Sequence, residues 1–214
     1  GRKQASSSRY GWETAGADDH YARWNISVTG SAADGSDDYR NELNGQGYIT
    51  EIDPYDKTAV IRKRSALGRF NHEGAWPAPA KVGESIVIYS GDDARNEYVF
   101  KFVSEAKWNA SDVNGGMAVG AKYLDKGTLY VAKFNNERDK TLGVTINDDG
   151  SGEWLELTYG KNGIDEQNTL YPFADQADVV MHCRLAADFR GATKMDRPEW
   201  GGVNPLNNEV YMTM

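Results

Sequence analysis

The chain is poor in cysteine, in paired histidines, in positive charge and in long apolar runs. Its single cysteine, Cys183, excludes a disulfide within the chain. Its histidines, His20, His72 and His182, form no His-x-x-x-His spacing of the kind that holds a zinc ion. His182 falls in a helical stretch and reads as packed or solvated, and Cys183 beside it has no neighbouring base to make it a nucleophile. No apolar stretch approaches the roughly 20 residues of a membrane span. No signal peptide is legible from Gly1 onward, and the missing initiator methionine fits processing or proteolysis. Neither a Gly-x-Ser-x-Gly elbow nor a Gly-x-x-x-x-Gly-Lys phosphate loop occurs, which removes the carriers of serine-hydrolase and P-loop chemistry. Lys+Arg 24 against Asp+Glu 32 leaves a net charge of −8. A nucleic-acid binder needs a basic stripe to neutralise phosphates, so nucleic acid is not an expected partner.

What is present has a clear character. The 214 residues suffice for one sizeable domain. Gly 23, Tyr 12 and Trp 6 describe an all-β protein, in which tight turns use glycine and pleated faces favour aromatics. The surplus of carboxylates has two readings: plain solubility, or oxygen ligands for hard cations.

Residues 1–47 read as a loop-rich excursion around one strand-like run, Asn25 to Thr29. Strands then follow quickly. Tyr48 to Ile52 stops at the turn Asp53-Pro54-Tyr55-Asp56, and Ala59 to Arg64 is its expected hairpin partner. Ser85 to Tyr89 is a buried-strand run, with Glu97 to Val103 expected to pair back on it. Further candidates are Thr128 to Phe134, Thr141 to Ile146, Glu153 to Leu157 and Glu209 to Thr213. Between Asp175 and Phe189, Ala177, Val180, Met181, Leu185 and Ala186 fall at helical spacing, and Gly191 is placed to cap the helix. These strands would fill about two to three propeller blades of four strands each. Such a set cannot close a ring alone, and its open edges invite pairing with other strands, including further pieces of the same propeller.

Three constellations could carry chemistry. Leu67-Gly68-Arg69-Phe70-Asn71-His72-Glu73-Gly74-Ala75 packs charged groups between glycines. It is either a solvated loop or a place where backbone approaches a ligand and Glu73 binds a cation. Ser90-Gly91-Asp92-Asp93 closes a strand with adjacent acids, which serve equally well as calcium ligands or as ordinary turn residues. Thr193-Lys194-Met195-Asp196-Arg197-Pro198-Glu199-Trp200 is the densest. Arginine offers a planar fork for phosphate oxygens and carboxylates hold metals, although a salt-bridged corner would use the same residues.

Taken together, three phrases resemble signatures of the PhoX family of alkaline phosphatases over about residues 45 to 214. They are Glu51-Ile52-Asp53-Pro54-Tyr55-Asp56 leading into Lys63-Arg64-Ser65-Ala66-Leu67-Gly68-Arg69-Phe70-Asn71-His72-Glu73-Gly74-Ala75, then Tyr89-Ser90-Gly91-Asp92-Asp93, then Gly191 to Trp200. The Leu129 to Phe134 strand fits as well. The resemblance implies a β-propeller and an exported bacterial enzyme, periplasmic or extracellular, with an iron and calcium cluster. It implies metal-binding carboxylates at Glu73 and Glu199 and a phosphate-facing arginine at Arg197. Asp92, Asp93 and Asp196 are further metal candidates under it, or residues that only shape the loops. The family's iron-binding cysteine belongs to an upstream Thr-Cys-Glu-Glu-like phrase, so Cys183 does not inherit that role. Further family ligands follow the Tyr211-Met212-Thr213 strand, so the chain is expected to hold part of an active enzyme and to be inactive alone.

The expected activity is hydrolysis of small phosphate monoesters by carboxylate-bound cations, with Glu73, Arg197 and Glu199 as the catalytic set. Two rivals are a calcium-binding propeller module without activity and a calcium-dependent, lactonase-like hydrolase of a non-phosphate ester. The guanidinium of Arg197 favours the phosphate, because an uncharged lactone has less use for it.

Overall fold

The computed structural model describes residues 32–33, 42–134 and 151–214. The chain divides into two compact units, Gly1–Gly47 and Tyr48–Met214. In the first, the described structure is a single 3-10 turn, Glu42–Gly45. The expected strands at 25–29 and 141–146 lie outside the described residues.

The second unit is built on a five-stranded antiparallel sheet. Its members, in spatial order, are β3 (Trp76–Pro77), β4 (Ser85–Gly91), β6 (Val99–Lys107), β7 (Gly127–Phe134) and β8 (Gly152–Glu156). Consecutive long strands are sheet neighbours, as a meander requires. Register sorts the side chains onto two faces, because residues paired across strands point the same way. Ile88, Phe102 and Leu129 form one cross-strand row, and Phe100, Val131 and Leu155 the next, all of them buried. The opposite face carries Trp76, Tyr89, Lys101, Tyr130 and Glu156 in register. There the Lys101 ammonium lies 5.1 Å from the Tyr130 ring centre and 4.5 Å from that of Trp154.

The buried rows meet Leu67 and Phe70 from the turn after residue 64, and Val179, Cys183, Ala186 and Ala187 from two helices, in one core cluster. Each large side chain so buried contributes roughly 1.5–3 kcal/mol. The expected hairpin is present as β1 (Thr50–Glu51) and β2 (Arg62–Lys63), with Thr50 opposite Lys63. Its connection is an Asx turn in which Asp53 Oδ1 accepts the Tyr55 amide at 2.9 Å. Short pairs β5 (Arg95–Glu97) with β9 (Met195–Asp196), and β10 (Gly201–Val203) with β11 (Val210–Met212), complete the strands.

The helices differ from expectation in two ways. The stretch read as one helix near 175–189 is α2 (Gln176–Met181) followed by α3 (Cys183–Arg190), broken at His182. At the break the His182 Nδ1 lies 2.8 Å from the Asp178 carboxylate and 3.3 Å from the Asp178 carbonyl, while the backbone leaves helical geometry. Gly191 does end α3, in the left-handed conformation with φ of 67°. A further helix, α1 (Gly116–Leu124), was not expected. Glycines at 115, 116 and 120 lower its propensity, but Gly120 is where the buried Arg64 and its partner Glu51 press against the helix. A side chain there would meet the Glu51 carboxylate at 2.6 Å. Among the described residues no helix is long and apolar enough to cross a membrane. The sheet with few helices agrees with an all-β class; the described residues form an open sheet with satellite pairs.

Candidate active site

Three segments converge at the end of β4: the 68–74 loop, the turn at 90–93, and the stretch from Gly191 to Trp200. Gly91 is where they touch. Its carbonyl accepts the Glu73 amide at 3.3 Å. On its other side a Cβ would collide with the Pro198 carbonyl oxygen and lie 3.1 Å from that of Glu199. Only glycine permits this approach, so the backbones of Glu73 and Glu199 are both neighbours of one residue.

The 68–74 loop is clasped from beneath. His72 Nε2 lies 3.1 Å from the Gly68 carbonyl, which can only accept, so the neutral ring carries its proton there. Its Nδ1 faces the Ser90 hydroxyl at 2.8 Å, and that hydroxyl is also 2.5 Å from the Gly74 carbonyl. The Ser90 hydroxyl donates to the Gly74 carbonyl, and with the His72 contact this ties both flanks of Glu73 to β4. The His72 ring stacks on Phe70 at 3.6 Å. Burial pushes the His72 pKa down to about 4, outweighing the Gly68 hydrogen bond and the Asp92 charge, which pull it up. The Glu73 side chain is exposed, and among the described residues it has no hydrogen-bond or ion-pair partner.

Asp92 and Asp93 point to different partners. Asp92 is fully buried, and its two oxygens take the Arg184 fork from α3 at 2.5 and 2.7 Å. It also accepts the Asn71 amide at 3.2 Å. Its role in this structure is a packed ion pair joining turn, loop and helix, with Glu97 at 3.6 Å on the same guanidinium. Asp93 faces outward and receives Arg197 as a bidentate pair, Nε to Oδ1 at 2.8 Å and Nη2 to Oδ2 at 3.1 Å. Arg197 Nη2 also reaches Glu199 Oε1 at 2.7 Å. The Asp93 hydrogen bond, followed by the charges of Asp93 and Glu199, holds the Arg197 pKa above its ordinary value, so the guanidinium stays charged. Asp196 stands further out, mostly exposed, with Arg95 at 3.9 Å.

An aromatic wall borders the cluster. Trp76 fits between Gly74 and Gly201, at either of which a Cβ would meet its ring, and Trp200 packs edge-on to it at 5.9 Å.

The structure therefore brings Glu73, Asp93, Arg197 and Glu199 around one turn, turns Asp92 inward, and leaves Asp196 at the rim. Sequence reasoning missed Arg184, Ser90 and the contact role of Gly91. Only Gly91 left a signal, as a glycine ending an apolar strand before acidic residues. Cys183 is buried with its Sγ 3.6 Å from the Arg69 carbonyl, and burial pushes its thiol up to about 12. It stays a packed thiol.

Among the described residues no group of three His, Cys, Asp or Glu side chains is placed to hold a metal ion. The exposed carboxylate of Glu73 and the second oxygen of Glu199 are hard-cation donors in chemistry, so they fit part of an oxygen shell.

Comparison with known proteins gives two findings. The family model described as alkaline phosphatase PhoX matches residues 1–214. A solved structure, that of Pseudomonas fluorescens PhoX in complex with vanadate, a transition state analogue, is similar with a TM-score of 0.67 at 44% sequence identity. That similarity covers 81% of this chain and 28% of the Pseudomonas chain, so this chain spans well under half of that relative. No curated protein matches.

Proposed function

The chain belongs to the PhoX alkaline phosphatase family, and from that premise we propose that it serves the hydrolysis of small phosphate monoesters. The observation that carries this reading is the shared contact at Gly91, which sets Glu73 beside the Arg197 and Glu199 stretch. The relative binds vanadate, a transition state analogue. A charged arginine on the same rim suits the oxygens of a transferring phosphoryl group.

Electrostatics supports a metal requirement. Glu73, Asp93, Asp196 and Glu199 outnumber the nearby Arg95 and Arg197, so a phosphate dianion approaching the bare cluster meets net repulsion. Cations would reverse that sign. We assign Glu73 and Glu199 to hold them, with calcium and iron as the metals and the remaining oxygens coming from elsewhere in the protein. When bound, such ions polarise phosphoryl oxygens and lower the pKa of water toward about 7. Arg197 binds and orients the phosphate through its free N–H groups. His72 and Ser90 hold the Glu73 loop, and the Trp76 and Trp200 rings border the cluster on one side. Of the remaining acids, Asp196 is a further candidate for the cation shell. Asp92 and Asp93 are already engaged by arginines, and Asp196 is the most exposed.

The sheet meander would then be a blade of a propeller whose other blades cover its Tyr89, Lys101 and Tyr130 face. A periplasmic or extracellular location belongs to the same proposal and rests on family membership.

The test is Glu73→Gln and Glu199→Gln in the full-length protein, with p-nitrophenyl phosphate turnover and bound metal measured together. Each is expected to cost at least about 10–100-fold in turnover, with metal lost. Unchanged turnover and metal content in both variants would sink the assignment.

A further inference from the structure

We infer that Asp93 is a positioning residue for Arg197, acting through the guanidinium rather than on a cation. The inference rests on the phosphatase reading above and deepens it.

The first argument is the use of donors. A guanidinium has five N–H groups. Here Nε and one Nη2 proton go to Asp93, and Nη2 also lies 2.7 Å from Glu199 Oε1 as an ion pair. Both Nη1 protons remain without a partner among the described residues. Asp93 thereby occupies the Nε–Nη2 edge and leaves Nη1 as the end that meets an incoming anion. Without that occupancy, any edge of the fork could turn toward the anion or toward Glu199.

Rigidity supplies the second argument. Asp93 is held on both sides: its amide donates to the Asn71 carbonyl at 3.0 Å, and its neighbour Asp92 is locked to Arg184. Its side chain is only 22% exposed, whereas that of Arg197 is 50% exposed. The fixed carboxylate therefore orients the long, half-exposed guanidinium, as a supporting residue must.

The third argument is backbone strain. Arg197 has φ of 58°, the left-handed region that a non-glycine residue seldom adopts, and it precedes Pro198, which further restricts it. A strained residue persists only where its surroundings over-determine it, and here the Asp93 fork on the side chain joins the packing of Pro198 on Gly91 in constraining this stretch.

The sign of the effect separates this role from simple electrostatics. Asp93→Asn removes a negative charge beside the phosphate site, so a through-space effect alone would tighten phosphate. Loss of positioning weakens it.

The experiment uses the full-length metal-loaded enzyme and compares wild type, D93N, D93S, R197A and the D93N/R197A double variant. The readouts are kcat, the inhibition constant for inorganic phosphate, metal content and thermal midpoint. D93N is expected to weaken phosphate inhibition by about 10–100-fold and lower kcat. Metal content should be retained, and R197A should lose no further phosphate affinity when D93N is added. D93S gives the same pattern if the fork alone matters. Tighter phosphate in D93N, or loss of metal, overturns the positioning role. Unchanged inhibition in D93N beside weakened inhibition in R197A also overturns it and leaves the phosphatase reading standing. Unchanged inhibition in both, or a wild type without phosphatase activity, overturns the two together.

Discussion

At the scale of single residues, environment decides what each titratable group does. His72 and His182 are chemically identical, yet one is sealed under the Glu73 loop and the other sits beside Asp178 where two helices meet. For His72 the folded pKa of about 4 lies below the unfolded value of 6.5. A depressed pKa means that the unfolded chain binds the proton first. The neutral ring therefore contributes stability that is complete above about pH 6.5 and is lost as the pH falls toward about 4. The full span corresponds to roughly 3–4 kcal/mol. The thermal midpoint of the wild type should accordingly fall more steeply over that window than that of His72→Asn, which cannot titrate. Parallel pH profiles for the two proteins would contradict the burial argument. Nothing in the sequence around His72 distinguishes these fates, because desolvation depends on Phe70 and Ser90 closing over the ring.

At the scale of elements, close backbone approach does more than hydrogen bonding to assemble the site. Gly91 ends β4 and touches the carbonyl of Pro198, so β4 and the 191–200 stretch meet without an intervening side chain. Gly91→Ala is expected to destabilise the protein by about 1–3 kcal/mol, the usual cost of overpacking. Turnover should fall as well, because Glu199 moves while Glu73 stays on the Gly91 carbonyl. Gly202→Ala is the control: its Cβ meets open space, so stability should shift by no more than about 0.5 kcal/mol. Denaturant midpoints and turnover for the pair check both statements, and equal behaviour of the two variants contradicts them. The long strands of this sheet were legible in the sequence because Ser85 to Tyr89 and Thr128 to Phe134 carry β-branched and aromatic residues in runs. Short pairs such as β5 with β9 were not, since Arg95 and Asp196 lie far apart in sequence and carry no alternation.

For the molecule as a whole, one buried ion pair binds sheet turn to helix. Asp92 and Arg184 lie 92 residues apart in sequence, and the carboxylate is fully buried. Arg184→Ala leaves that charge uncompensated and should cost about 3–5 kcal/mol, measured by denaturant unfolding of the full-length protein. A loss below about 1 kcal/mol would mean that Asp92 finds water or another cation instead. The sequence by itself determined the all-β class, the hairpin at Asp53-Pro54, the Gly191 cap and the family phrases around Glu73 and Arg197. Those depend on short-range pattern and turn chemistry, which a linear string carries. Tertiary structure alone decided which aspartate faces inward, that Arg197 is forked by Asp93, and that Glu73 and Glu199 share Gly91 as a neighbour. Such facts arise from contacts between segments 92 to 104 residues apart, where burial and pairing, rather than local propensity, select the state of each charge.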